Sequence, residues 1–280
     1  MQVIPGAHAL VTGGSSGIGH AIAALLGEKG ARITIWARGE ERLASAAAAL
    51  RARGIDVYAE SVDVSDPAAV AAGHERAVAQ HGPVDILVTS AGVSHPGRFL
   101  DLDDQVFRDM IEIDYFGTLH PIRAVAPGMV QRGRGSIVGI SSACALLGVY
   151  GYTAYGAAKF AVRGLLEALR GELKPHGVHV ACVYPPDVDT PMLAAENEYK
   201  PAETAAISGA VNPISADTVA RGVVRAIEKG TFAVYSGIQL RALVALGPMI
   251  NPVVDRVFDR TVRKMQQNPD APRVRGKLEP

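Results

Sequence analysis

The chain has 280 residues, 48% apolar and 20% charged, which suits a single α/β domain with a large core and excludes a disordered or fibrous protein. Lys plus Arg and Asp plus Glu each number 28, so the basic footprint that nucleic-acid binding requires is missing. Two cysteines, Cys144 and Cys182, make no disulfide framework and fit a reducing compartment, with cytoplasm as the default. The opening residues enter a strand without room for a signal peptide, and no window reaches the roughly 18 uninterrupted apolar residues of a spanning helix.

Residues 7–12, AHALVT, read as a short buried strand, followed by a glycine-rich turn into a helix that ends at Gly30. Gly13, Gly17 and Gly19, with Ser15, Ser16 and Ile18 in the same turn, let backbone N–H groups close on a diphosphate at a helix N-terminus. A tight strand-to-helix turn also wants glycine, but its place after the first strand of an α/β pattern favours the nucleotide reading. The next strand, ARITIWAR, ends without an acid for an adenosine ribose. Arg38 stands there, with Arg42 one turn into the following helix. Guanidinium groups at that place suit a 2′-phosphate, and so NADPH over NADH. The alternative is a solvated arginine pair opposite Glu40 and Glu41.

A helix over 40–53 and the strand IDVYAESV lead to Asp63 and Val64, placed to touch an adenine, and Asp66-Pro67 caps another helix. The apolar strand at 84–89 ends in Ser90-Ala91-Gly92, small residues that leave space for a ribose. One helix is expected from about 103 to 131, with Asp114 near its middle. Two further units follow, GSIVGISS into a helix over 153–174 and VHVACVY into a long loop. Apolar, nearly unalternated strands between helices predict a doubly wound parallel sheet covered on both faces, three layers in one domain. The expected division is a catalytic domain over 1–236, with a lid at about 185–213, and an apolar segment and polar tail over 237–280 packed on it.

Tyr155 and Lys159 are spaced to share one helix face, which sets a phenol beside an ammonium. That pairing favours the phenolate; lowering a tyrosine by roughly three units needs about 4 kcal/mol. Ser142, at the end of the preceding strand with Ser141 beside it, points a hydroxyl into the same cleft.

Over residues 7 to about 235 these motifs, in order and spacing, resemble the short-chain dehydrogenase/reductase family. The resemblance implies a Rossmann-type fold, NAD(P) and hydride transfer between nicotinamide and a carbonyl or alcohol. Tyr155 would be the general acid in reduction, Lys159 would hold the nicotinamide ribose and depress the tyrosine, and Ser142 would orient the carbonyl. Two positions depart from the pattern. The family's fourth catalytic-site residue, usually Asn, falls on Asp114; when ionised it loses the amide donor and brings a charge that opposes the phenolate. Thr89-Ser90-Ala91-Gly92 replaces the usual Asn-Asn-Ala-Gly. The expectation is that Asp114 is tolerated.

A narrower resemblance rests on the Pro-Pro-Asp-x-Asp-Thr-Pro run at 185–191, on Glu196-Asn197 and Lys200-Pro201-x-Glu203-Thr204, and on the stretches DYFGTLHPIRAV and GYTAYGAAKFAVRGLLEALRGELKP. These are similar to the 3-ketodihydrosphingosine reductase branch of the family. They imply NADPH-dependent reduction of the 3-ketone of a long-chain amino ketone. Thr190 would contact the nicotinamide carboxamide, with Pro185 and Val188 beside the cofactor, and the rest of the loop would close as a lid. The lid carries Asp187, Asp189, Glu196 and Glu198 against Lys200, which suits a cationic headgroup. The other reading is that these acids are first-turn charges of a helix capped by Thr190 and opened by Pro191.

The C-terminal apolar stretch is interrupted by Pro248 and Pro252; packing or lining an acyl-tail channel is favoured over membrane contact. The Ala/Leu-rich faces at 105–131 and 153–174 resemble the family's dimer-forming pair, so a homodimer or homotetramer is expected. Trp36 is expected in the core and Cys144 as a small buried thiol, and no His, Cys or carboxylate set has metal-ligand spacing. Two rivals stay open: a reductase or dehydrogenase for another bulky ketone or alcohol of steroid or β-ketoacyl type, and a non-catalytic NADP-binding regulator. The intact Ser142, Tyr155 and Lys159 argue against the regulator.

Overall fold

The computed structural model describes residues 5–208 and 212–267. Strands and helices alternate from the start: β1 (His8–Thr12), α1 (Gly17–Glu28), β2 (Arg32–Ala37), α2 (Glu40–Ala52), β3 (Val57–Ser61), α3 (Pro67–His81) and β4 (Ile86–Thr89). Next come α4 (Asp104–Met110), a π-helical turn (Ile111–Phe116), α5 (Gly117–Arg132), β5 (Gly135–Ile140), α6 (Thr153–Leu173) and β6 (Val178–Tyr184). The chain then runs through β7 (Val188–Asp189), α7 (Pro191–Tyr199), α8 (Ala202–Ser208), β8 (Ile214–Ser215), α9 (Ala216–Lys229), β9 (Ala233–Tyr235) and α10 (Ile238–Gln266).

Seven strands form one parallel sheet in the order β3-β2-β1-β4-β5-β6-β9, and β7 and β8 pair separately. The strands of the sheet centre are buried along their whole length because both faces are covered. Ala9 and Val11 face the core under α1, α2 and α9, whereas Leu10 faces the one under α3, α5 and α6. Trp36 is fully buried in the second of these cores. Local chemistry sets the helix boundaries. Asp66 caps α3 by accepting the Ala68 N–H at 2.8 Å, with Pro67 opening the helix, worth about 1 kcal/mol.

Two expectations need correction. The single helix expected over 103–131 is three segments, because a π-helical turn interrupts it around Asp114. That turn is pinned by Asp114, whose carboxylate takes the Val93 N–H and whose carbonyl takes the Thr118 hydroxyl at 2.8 Å. Pro248 and Pro252 do not break the C-terminal segment; α10 runs through both as a 29-residue helix. An interior proline removes one amide donor and crowds the carbonyl four residues back, a cost of about 3 kcal/mol that α10 carries without ending. α10 packs against α8 and β9, and among the described residues no helix is long and apolar enough to cross a membrane. Residues 209–211 of the expected lid and 268–280 of the expected tail lie outside the described residues.

His8 sits inside β1 with Nδ1 2.7 Å from the Gly82 carbonyl and Nε2 2.9 Å from Thr34 Oγ1. Burial holds its imidazole down at about 4, and burial lowers His74, His81 and His179 as well. An unfolded histidine takes its proton near 6.5, so between there and 4 the unfolded chain binds more protons than the folded one. Stability is therefore complete above that window and falls as the pH drops through it, by about 3 kcal/mol for His8 alone. Thermal unfolding followed by circular dichroism should show the midpoint falling across this window, with a shallower fall in His8→Gln.

Candidate active site

The site grows from one topological feature. β1 and β4 are neighbours, but the crossovers that follow them leave in opposite directions along the sheet, which opens a crevice at their carboxyl ends. Thr12, the last residue of β1, holds the crevice floor by accepting the Ser90 and Ala91 N–H groups on its Oγ1, both at 3.1 Å. Gly13 follows with φ of +67°, and a Cβ there would lie 2.8 Å from Ala91 N. A Cβ on Gly19 would meet the Gly13 carbonyl oxygen at 2.4 Å, so the turn closes only with glycine at both positions.

The crevice is a cavity of about 460 Å³ lined by the expected cofactor residues. These are Gly13, Ser15, Ser16, Gly17, Ile18 and Gly19 from the turn, Arg38 and Arg42 after β2, Asp63 and Val64 after β3, and Ser90, Ala91 and Gly92 after β4. Pro185, Val188 and Thr190 line its far wall. Arg38 and Arg42 are exposed, and neither is paired with Glu40 or Glu41 among the described residues. Burial works against the Asp63 charge, but the Ser65 hydroxyl and N–H, at 2.7 and 2.9 Å, outweigh it and hold that carboxyl below its ordinary value. The turn's backbone donors, the close-packed glycines and the two free guanidinium groups fit a phosphorylated dinucleotide.

Ser142, Tyr155 and Lys159 line the same cavity from the β5 side. The Ser141 hydroxyl donates to the Lys159 carbonyl at 2.9 Å, which docks α6 against the end of β5, and Ser142 Oγ accepts the Cys144 N–H at 3.1 Å. Lys159 Nζ is buried, 5.5 Å from the Tyr155 ring centre, 3.3 Å from Asp114 Oδ1 and 3.4 Å from the Ile140 carbonyl. Asp114 does not line the cavity; it is fully buried behind Lys159.

The expected depression of the Tyr155 phenol is not what the site shows. Burial first, then the Asp114 charge, push it well above the ordinary tyrosine value, while the Ser142 hydroxyl pulls the other way. The sequence reading counted the cation and underweighted burial. Asp114 itself is raised by burial, opposed by Lys159 and the Val93 N–H.

The lid also differs from expectation. Thr190 does cap α7, its Oγ1 accepting the Leu193 N–H at 3.3 Å, while still lining the cavity. Asp189 and Glu198 are exposed, but Asp187 and Glu196 share the buried Lys200, at 3.6 and 2.9 Å. The acidic group over the cavity is thus two carboxylates around one ammonium. Tyr152, which the sequence reading passed over, donates its hydroxyl to Glu196 and lines the cavity one turn before Tyr155. A second fastening, equally unread, joins Arg98 to the buried Glu203 at 2.9 Å and the Thr204 hydroxyl to the Tyr150 carbonyl at 2.9 Å. Tyr152 was signalled by its spacing from Tyr155; nothing local signalled the Arg98 partner. Cys144 is buried and its thiol is pushed up to about 12.

Comparison with known proteins agrees with this geometry. Residues 7–201 match the family model of the short chain dehydrogenases. A 3-ketodihydrosphingosine reductase of Bos taurus is 44% identical over 234 residues, 82% of this chain and 70% of that protein. A 3-dehydrosphinganine reductase of Danio rerio is 42% identical over 253 residues, 89% of this chain and 76% of that protein. Among solved structures, an actinorhodin polyketide ketoreductase variant with NADPH superposes with a TM-score of 0.76 at 33% identity, covering 84% of this chain and 97% of its own. The chain belongs to the short-chain dehydrogenase/reductase family. It is an NAD(P)-dependent oxidoreductase acting on C=O or CH–OH groups, similar to the 3-dehydrosphinganine reductases.

Gly19→Ala should weaken NADPH binding at least about tenfold, 1.4 kcal/mol or more, in a fluorescence titration, because the new methyl group lands on the Gly13 carbonyl.

Proposed function

We propose that this enzyme uses NADPH to reduce the 3-ketone of a long-chain amino ketone, 3-ketodihydrosphingosine, to the alcohol. The observation that carries the reading is the position of Tyr155, a protonated phenol beside Ser142 in the cavity that the glycine-rich turn also lines. The similarity to reductases of that name in Bos taurus and Danio rerio supports the substrate class. When bound, the reduced nicotinamide supplies the hydride. On this reading Ser142 Oγ hydrogen-bonds the ketone oxygen, and Tyr155 gives that oxygen its proton as the C–O bond order falls; both line the cavity. On this reading Lys159 donates to the nicotinamide ribose. Asp187, partly exposed and only loosely held by Lys200, faces the cavity and suits the substrate ammonium.

Arg38 and Arg42 support NADPH over NADH, since no acid stands at the end of β2 to take a ribose hydroxyl and two unpaired guanidinium groups line the cavity there. Self-association through the faces of α5 and α6, where Phe160 is 42% exposed, remains part of the proposal.

The test is NADPH oxidation on adding 3-ketodihydrosphingosine, run beside NADH and beside neutral steroid and β-ketoacyl ketones. Turnover of the amino ketone is expected; turnover of neutral ketones alone would discard the substrate and keep the chemistry. Tyr155→Phe should lower kcat by roughly 10²- to 10⁴-fold while leaving NADPH affinity within a few-fold. Replacing both Arg38 and Arg42 by Ala should cut the preference for NADPH over NADH at least about tenfold in kcat/KM.

A further inference from the structure

Asp114 stands apart from the other residues of the site because it touches Lys159 from behind and not from within the cavity. The π-helical turn presents it, and its side chain is fully enclosed. Oδ1 accepts the Val93 N–H at 3.0 Å and lies 3.3 Å from Lys159 Nζ, while Oδ2 has no partner among the described residues. A Cβ on Gly92 would be 2.6 Å from Oδ1, so the glycine is what lets the carboxyl group stand so near the cavity floor. A carboxylate enclosed in this way directs its charge to one cation, and that cation is the one lying over the Tyr155 ring.

We propose that Asp114 is a positioning residue: its carboxylate binds the Lys159 ammonium in a buried pair, withholds that charge from the phenol, and keeps Tyr155 protonated into the alkaline range. The proposal rests on the reading of Tyr155 as proton donor. The other groups facing the phenol do not substitute for Asp114. From the loop after β5, Ser142 is neutral and Cys144 is held as a thiol at about 12 by burial. At the N-cap of α6, Tyr152 is kept neutral by burial and by Glu196. From the lid, Glu196, bonded to Lys200 at 2.9 Å, adds a smaller push in the same direction, and Asp187 lies 3.6 Å from the same ammonium. Burial raises the phenol first, and Asp114, 3.3 Å from Lys159 Nζ, is the charged group that adds most to that rise.

In reduction the phenol O–H bond breaks as the ketone oxygen gains its proton, the hydride coming from the reduced nicotinamide, and the phenolate is reprotonated from solvent. In oxidation the phenolate takes the alcohol proton. One ionisation therefore ends the reduction limb and levels the oxidation limb, and any shift in it must move both together at a fixed overall equilibrium constant.

The experiment compares the unaltered enzyme with Asp114→Asn in two ways. The first is the pH profile of kcat/KM in both directions. The second is an ultraviolet titration of tyrosinate in the cofactor-free protein, assigned to Tyr155 by subtracting the Tyr155→Phe curve. The expected result is a downward shift of at least about one pH unit in both limbs and in the titration, about tenfold in rate above the inflection. Coincident inflections in the two proteins would overturn the proposal. If Asp114→Asn fails to fold, infrared spectra of the unaltered protein carrying ¹³C-labelled aspartate decide the matter. Ionised carboxylate bands alone near neutral pH support the pair, whereas a buried protonated carboxyl band overturns it. Absence of turnover on any ketone would sink the functional reading while the tyrosinate titration still reports on Asp114.

Discussion

Parallel pairing constrains everything else in this molecule. Strands that run in one direction deliver all their carboxyl ends to one side, and the reversal of crossover direction between β1 and β4 opens that side between two loops. Thr12 then fixes the two loops to each other through the Ser90 and Ala91 amides. Once that junction is set, the glycine turn, the arginines after β2, Asp63, Ser142 and the Pro185-Pro186 run all arrive at one cavity from strand ends far apart in sequence. No side chain has to reach far, because the sheet does the gathering.

Within that cavity charge is distributed along its length. The end nearest β2 carries Arg38 and Arg42, exposed and unpaired among the described residues, and so ready for an anion. Toward the β5 and β6 ends, each ammonium is buried and matched, Lys159 with Asp114 and Lys200 with Glu196 and Asp187. Burying such pairs carries a desolvation cost, and breaking one by removing a partner leaves a bare charge in a dry place, so these pairs specify geometry more than they add stability.

What the sequence revealed was what neighbours in the chain can encode. Unalternated apolar strands predicted the parallel sheet, the spacing of Gly13, Gly17 and Gly19 predicted the turn, and the spacing of Tyr155 and Lys159 placed them on one face. What it concealed depends on burial or on distant partners. The Tyr155 phenol rises and does not fall, because enclosure and a carboxylate from the π-helical turn outweigh the Ser142 hydroxyl. The Glu196 and Lys200 spacing was visible, but not that both would be buried beside a partly exposed Asp187 and turn an acidic lid into a largely compensated one. Arg98 and Glu203 are a hundred residues apart in the numbering, and only the folded chain brings them together. Pro248 and Pro252 looked like interruptions because a proline's local effect is legible and the tolerance of a long helix is not.

The bond from the Tyr152 hydroxyl to Glu196 ties α7 to the start of α6, one turn from Tyr155, the proton donor we propose. The lid is therefore less a flap on a hinge than a strap buckled to the reacting group. Much of the ordering of this wall is completed while the chain folds, so an arriving ligand finds it already built and surrenders less of its binding free energy to assembling it. The same tie couples the wall's position to the start of α6, so any motion that widens the cavity has to pull on the helix that carries Tyr155.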